Sequence, residues 1–199
     1  GPFKINVHTF GDKKNFDTIN VKKDNFDNIL KDKMNLAALV RKNDELVYTR
    51  YNQKRQIDSN TMLHGASMSK TALSTAIGTL LCNGKIDSLS DELGKYSPSL
   101  AKTPYSKIPI KNTLQMNSGV ETIKSDLKFR RKLNQIAQGM RKHEGKADVF
   151  KAISLLKGND REQGSKFFYN SSDPYALSIL ISDLTKKPAS EIFYENAYK

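Results

Sequence analysis

His64-Gly65-Ala66-Ser67-Met68-Ser69-Lys70-Thr71 is the stretch on which the reading of this chain turns. It opens a run in which Met68, Ala72, Leu73, Ala76, Ile77, Leu80 and Leu81 fall on one apolar stripe, and Gly84 is placed to end it. The spacing predicts a helix over 67–83 with Ser67 at or near its start. There the free N–H groups and the helix dipole favour negative charge. Ser67 and Lys70 lie three residues apart, so their side chains share a helix face. A hydroxyl is a weak nucleophile until a neighbour takes its proton. A lysine amine can do so when desolvation makes it neutral. Ser-x-x-Lys is therefore a candidate nucleophile and base, and its weight depends on its surroundings.

Upstream, Leu36–Val40 and Leu46–Tyr51 are β-prone runs joined by the polar Arg41-Lys42-Asn43-Asp44, the pattern of a hairpin. Phe26, Ile29, Leu30 and Met34 have helical spacing, and Phe3–Val7 has weak strand character. Downstream the chain turns helical. The segment 88–109 is loop-rich, with Pro98, Pro104 and Pro109. A helix is expected from Ile110, stopping at Ser118-Gly119. Amphipathic stretches follow around Leu127–Met140 and Ala147–Leu156, and Asn159–Lys166 reads as a polar loop. Asp173 as N-cap with Pro174 at the first helical position announces another helix through Leu177, Ile179, Leu180, Ile181 and Leu184. Ala189–Tyr198 reads as helical again. Residues 1–55 thus form an N-terminal helix and the first strands of a sheet region, and 56–199 a helical domain. Two strands alone are not a stable sheet, so further strands are expected to follow in the natural chain.

The 199 residues are 37% hydrophobic and 27% charged, with a net charge of +12. Such a charge implies either an anionic partner or a lysine-rich surface spread over solvated faces. The densest basic stretch, Lys124 to Lys146, includes Lys128, Arg130, Arg131, Lys132, Arg141 and Lys142. It lacks the interleaved aromatics that stack on bases, since Phe129 stands alone, and no nucleic-acid partner is expected. The single Cys82 follows Leu80 and Leu81; a buried core position is expected, and an internal disulfide is impossible. No apolar run approaches the roughly 20 residues of a membrane span. Gly1-Pro2 reads as a scar of tag removal, so the natural N-terminus is expected to be missing.

Four landmarks in one order then carry a resemblance. The Ala66-Ser67-Met68-Ser69-Lys70-Thr71 helix start runs into Asn83-Gly84-Lys85-Ile86-Asp87-Ser88. A proline-bearing loop, Tyr96-Ser97-Pro98-Ser99-Leu100, follows. Next comes Ile108-Pro109-Ile110-Lys111-Asn112-Thr113-Leu114-Gln115-Met116-Asn117-Ser118-Gly119-Val120. Last is Gly164-Ser165-Lys166-Phe167-Phe168-Tyr169-Asn170-Ser171, with Leu177 beyond. Together with the hairpin, these resemble the serine β-lactamase and penicillin-binding protein superfamily over about residues 26–199. The wording is most similar to the branch holding class C β-lactamases, related esterases and 6-aminohexanoate-dimer hydrolases. Agreement across independent features is what gives the resemblance its specificity.

The resemblance implies an α/β, β-lactamase/transpeptidase-like fold: a helical domain plus an antiparallel sheet whose C-terminal strands are absent from this chain. It implies that Ser67 is the acylated nucleophile, that Lys70 shares or relays its proton, and that Tyr169 is the partner phenol. Asn170 and Ser171 take substrate-binding or supporting positions, Ser171 standing where many relatives have Asn. The Ser67 N–H becomes half of an oxyanion hole. The chemistry is coherent, because a phenol titrates near pH ~10 and needs a neighbouring cation to ionise usefully near neutrality. The implied function is a serine hydrolase acting on an ester, small amide, β-lactam or D-alanyl peptide, with no cofactor and no metal. A periplasmic or secreted placement is favoured; oligomeric state is left open. The rival class is a non-catalytic binding protein of the same fold, recognising cell-wall-like or other anionic ligands.

The chain departs from the family pattern where the Lys-Thr-Gly or His-x-Gly strand belongs, near the C-terminus. His143-Glu144-Gly145 precedes Tyr169 and is in the wrong order. Tyr194-Glu195-Asn196 is a literal Tyr-x-Asn, but without the upstream Gly and Phe. Ser125-Asp126-Leu127 fails the Ser-Asp-Asn pattern at its last position, which argues against a class A mechanism. His64 beside Ser67 is read as a boundary or core histidine, since a triad also needs an orienting carboxylate.

Overall fold

The computed structural model describes residues 34–42, 45–63, 65–120, 127–138, 148–156, 158 and 161–198. The Phe3–Val7 strand, the body of the helix expected over Phe26–Met34, the Asn43-Asp44 turn, His64 and the His143-Glu144-Gly145 tripeptide lie outside these residues. The described residues divide into two compact units, one ending before His64 and one starting at Gly65.

The first unit is the expected hairpin. Strands β1 (Ala37–Lys42) and β2 (Glu45–Tyr51) pair antiparallel, with Leu39 opposite Thr49 and Val40 opposite Tyr48. The register shifts between Val40 and Arg41, so that Arg41 faces Leu46 and Lys42 faces Glu45. Such a shift twists the ribbon locally. Val47 and Tyr48 are buried. Asn52 closes the open end, donating from its backbone N–H to the Leu36 carbonyl at 2.9 Å and from Nδ2 to the Asn35 carbonyl at 3.0 Å. Among the described residues the sheet has these two strands only.

The second unit is helical. A 3-10 turn, Ala66–Met68, leads into α1 (Ser69–Cys82). Then come α2 (Leu93–Tyr96), α3 (Ile110–Leu114), α4 (Leu127–Gln138), α5 (Val149–Ser154), α6 (Ser172–Thr185) and α7 (Ala189–Phe193), with a π-turn over Tyr194–Tyr198. Helix α6 is the hub and packs against α1, α3, α5 and the 3-10 turn Pro98–Leu100. Its Leu177, Ile179, Leu180 and Ile181 are buried with Ile77 and Leu80 of α1, and with Leu100, Ile110, Ile153 and Ile192. Each such side chain contributes roughly 1.5–3 kcal/mol relative to exposure. The loop-rich segment is pinned to α6 by Asp183. Its carboxylate accepts from Ser97 Oγ at 2.5 Å, Ser99 N at 3.0 Å and Ser99 Oγ at 2.9 Å. Desolvation pushes this carboxyl up, but the three donors outweigh it and hold it below its ordinary value.

Four expectations need correction. Cys82 is exposed, because the buried face of α1 is Ala76, Ile77 and Leu80, whereas Cys82 continues the Thr75, Gly78, Thr79 face. Met68 is 75% exposed, since the 3-10 turn carries it beyond the packed part of the stripe. The helix from Ile110 ends at Leu114, not Ser118-Gly119, because Met116 turns left-handed at φ +53°. Asp173 lies inside the first turn of α6 rather than at its N-cap; its carboxylate faces the core and another side chain caps the helix.

Candidate active site

Ser67 sits in the middle of the 3-10 turn, and Lys70 is the second residue of α1. Two hydrogen bonds shape the entry. Met68 N donates to the Gly65 carbonyl at 2.9 Å, and Ser69 Oγ donates to the Ala66 carbonyl at 2.7 Å. Ala66 itself has φ +42°, a left-handed conformation that costs an alanine roughly 1–2 kcal/mol. Strain of this kind tends to collect where a side chain must be presented rather than packed. Ser67 is exposed. Its N–H lies in the first turn, whose donors have no intrahelical acceptor.

Lys70 Nζ donates to Ser67 Oγ at 3.0 Å, as one-turn spacing dictates. Tyr169 arrives from 102 residues away, and its hydroxyl lies 2.7 Å from the same Ser67 Oγ. The Lys70 ammonium also stands 5.2 Å from the centre of the Tyr169 ring. The hydrogen bond with Ser67, and then the neighbouring Lys70, hold the phenol below its ordinary pKa; slight desolvation opposes them. The three side chains thus form one cluster around one oxygen. A phenol with a lowered pKa and an adjacent cation is suited to accept the serine proton.

Tyr169 is 51% exposed, so packing of its ring does little to place it. Backbone contacts do. Arg161 N donates to the Gly119 carbonyl at 3.3 Å, Gly164 N to Asn117 at 2.8 Å, and Phe168 N to Met116 at 2.7 Å. The segment leading to Tyr169 therefore runs along the Met116–Gly119 turn. Gly119 has φ +75°, and a Cβ there would lie 2.3 Å from the Arg161 carbonyl oxygen. Only glycine fits that approach.

Beyond Tyr169, Asn170 is buried, and its Oδ1 accepts from Ser172 N at 2.7 Å and Asp173 N at 2.9 Å. Asn170 thus satisfies two free N–H groups at the start of α6. Ser171 is half-buried and makes no capping hydrogen bond. Asp173 is fully buried, and its Oδ1 accepts from Tyr105 Oη at 2.7 Å and Ser118 Oγ at 2.6 Å. Its Oδ2 has no hydrogen-bond partner among the described residues. Desolvation pushes its pKa up to about 6 against the pull of Ser118 and Tyr105. Burial, reinforced by the Asp173 carboxylate, pushes Tyr105 well above its ordinary value.

Ser67, Lys70 and Tyr169 are brought together. The rival Tyr194 lies at the start of the π-turn, where Asn196 Nδ2 donates back to the Ile192 carbonyl at 3.0 Å. Sequence reasoning missed Tyr105, Ser118 and Asp173 as a group. In the sequence, Ser118-Gly119 reads as a helix stop and Asp173-Pro174 as a helix start, and Tyr105 carries no local signal.

The Beta-lactamase family model matches residues 26–199. Among solved structures, the chain is similar to a candidate 6-aminohexanoate-dimer hydrolase from Bacillus anthracis, at 21% identity and a TM-score of 0.64. That match covers 82% of this chain and 44% of the other. It is also similar to a D-stereospecific amidohydrolase from Streptomyces sp., at 19% identity and a TM-score of 0.54, covering 67% and 40%. The chain therefore spans less than half the length of these structural relatives, and at such identity the likeness shows the fold. No curated protein matches significantly.

Proposed function

The chain belongs to the Beta-lactamase family, and from that premise we propose that it carries the nucleophile, base and cation of a serine hydrolase that forms an acyl-enzyme on Ser67. The observation that carries this reading is the convergence of Lys70 Nζ and Tyr169 Oη on Ser67 Oγ, at 3.0 and 2.7 Å. Tyr169, ionised with help from the Lys70 charge, takes the Ser67 proton. Ser67 Oγ then bonds to the substrate carbonyl carbon, and the developing oxyanion lies near the Ser67 N–H. Collapse breaks the bond to the leaving group, which receives the proton back through Tyr169. Water attacks the ester in a second cycle using the same groups. Such proton transfer contributes about 10²–10⁴ in rate, and oxyanion stabilisation is usually the larger effect.

The substrate class is an ester, a small amide, a β-lactam or a D-alanyl peptide, and acylation of Ser67 is common to all four. A purely binding protein has no need of a phenol held on a serine hydroxyl, so the catalytic reading is preferred. Tyr169→Phe tests it. Removing one oxygen is expected to lower acylation by about 10²–10⁴ and leave substrate binding nearly unchanged, because the ring remains. Unchanged turnover in a folded Tyr169→Phe protein would overturn the assignment of the phenol.

A further inference from the structure

We propose that Asp173, with Tyr105 and Ser118, forms a buried clamp whose function is to position the Tyr169 phenol on Ser67. The proposal rests on the serine-hydrolase reading for its consequence, but its geometry is independent of it. Six links make a closed circuit. Asp173 N donates to Asn170 Oδ1 at 2.9 Å, and Asn170 is bonded directly to Tyr169. Tyr169 is bonded to Phe168, whose N–H donates to the Met116 carbonyl at 2.7 Å. Met116 stands two residues before Ser118, and Ser118 Oγ returns to Asp173 Oδ1 at 2.6 Å. Tyr105 Oη donates to the same oxygen at 2.7 Å and anchors the circuit in the loop-rich segment.

Three features show that this circuit is more than packing. Tyr169 is half-exposed, and apart from its contacts with Ser67 and Lys70 it is held through its backbone neighbours. Asp173 is a carboxylate at 0% exposure with one oxygen unpartnered, and an apolar residue would avoid that desolvation cost. The titratable group facing it is Tyr105, which burial keeps as a phenol and hence a donor. The carboxylate gains two short hydrogen bonds on one oxygen: the one from Ser118 fixes the Met116–Ser118 turn against the first turn of α6, and the one from Tyr105 ties both to the loop-rich segment. The Tyr169 hydroxyl is delivered between those two fixed points. A displacement of about 1 Å in such a group can cost about 10²-fold in rate.

The test uses the full-length protein with Cζ-¹³C tyrosine, Tyr169 being assigned by Tyr169→Phe, and a fluorophosphonate that labels Ser67. Asp173→Ala removes the acceptor and is expected to return the Tyr169 titration towards that of an ordinary phenol and slow labelling about tenfold or more. Asp173→Asn keeps an acceptor oxygen and is expected to preserve both readouts. Asp173→Ala should add nothing to the loss already present in Tyr169→Phe, because both act through one group. If Asp173→Ala does not fold, Tyr105→Phe carries the same readouts with its ring in place. A folded Asp173→Ala or Tyr105→Phe protein with unchanged Tyr169 titration overturns the proposal. So does a labelling loss that persists in full on the Tyr169→Phe background. If the unmodified protein is not labelled at all, the hydrolase reading fails, while the Tyr169 titration still decides the clamp.

Discussion

Asp173→Asn should make the protein more stable as pH rises from 4 to 7 relative to the parent chain. Burial raises the Asp173 pKa from an ordinary 3.8 to about 6. A raised carboxyl pKa means that folding favours the protonated form. Its contribution to stability is therefore fully present below pH ~4 and is lost as pH climbs through about 6. Two pKa units correspond to about 3 kcal/mol, of which most falls inside this window. The asparagine does not titrate, so any pH-independent change in hydrogen bonding appears as a constant offset. The variant-minus-parent difference in unfolding free energy should grow by about 2–3 kcal/mol between pH 4 and 7. The other shifted carboxyls among the described residues do not confuse the window. Asp58, Asp87, Asp91 and Asp183 are all held below their ordinary values, so they titrate at lower pH and cancel in the difference. Urea unfolding at half-unit pH intervals reads the quantity directly, provided the m-value is unchanged. A difference that is flat with pH would mean that burial does not raise the Asp173 pKa. A difference of opposite sign would mean that Ser118 and Tyr105 outweigh desolvation and hold the Asp173 carboxyl below its ordinary value.

Lys70→Ala should be at least as damaging to acylation as loss of the phenol, about 10²–10⁴ or more, since it removes a proton carrier and the charge that favours phenolate; a pH–rate profile should show the alkaline shift of the remaining phenol. Gly119→Ala should destabilise the fold by about 2–5 kcal/mol, from the left-handed backbone and a Cβ driven against the Arg161 carbonyl. Thermal melting checks that loss, and a wild-type melting temperature would contradict the close approach at Gly119.

The hairpin, the Ser67 helix and the core residues of α6 were legible because each rests on a local pattern. Two β-prone runs joined by a polar turn placed Leu39, Val40, Val47 and Tyr48 in paired strands. Helical spacing placed Ile77, Leu80, Leu177 and Leu180 in one core. The Ser67–Lys70 contact was legible for the same reason. Tyr169 was not reachable from spacing, because its place depends on three backbone hydrogen bonds to a turn far away in sequence; the motif resemblance pointed to it. Cys82 and Met68 were misread because an apolar residue beside a stripe was taken to belong to it, although helix phase and the 3-10 entry turn each outward. Asp173 was misread because Asp-Pro before an apolar run suits an N-cap. Asn170, just ahead of the N-cap Ser171, accepts from the first-turn N–H groups instead, and the Asp173 carboxylate turns inward.

The most direct measurement of the central claim is the site of covalent labelling by a fluorophosphonate on the full-length protein. In that reaction the Ser67 Oγ–phosphorus bond forms, the phosphorus–fluorine bond breaks and fluoride leaves. One adduct is expected by intact mass, mapped by peptide sequencing to Ser67 and absent in Ser67→Ala. An adduct on any other residue, or labelling that persists in Ser67→Ala, would contradict that claim.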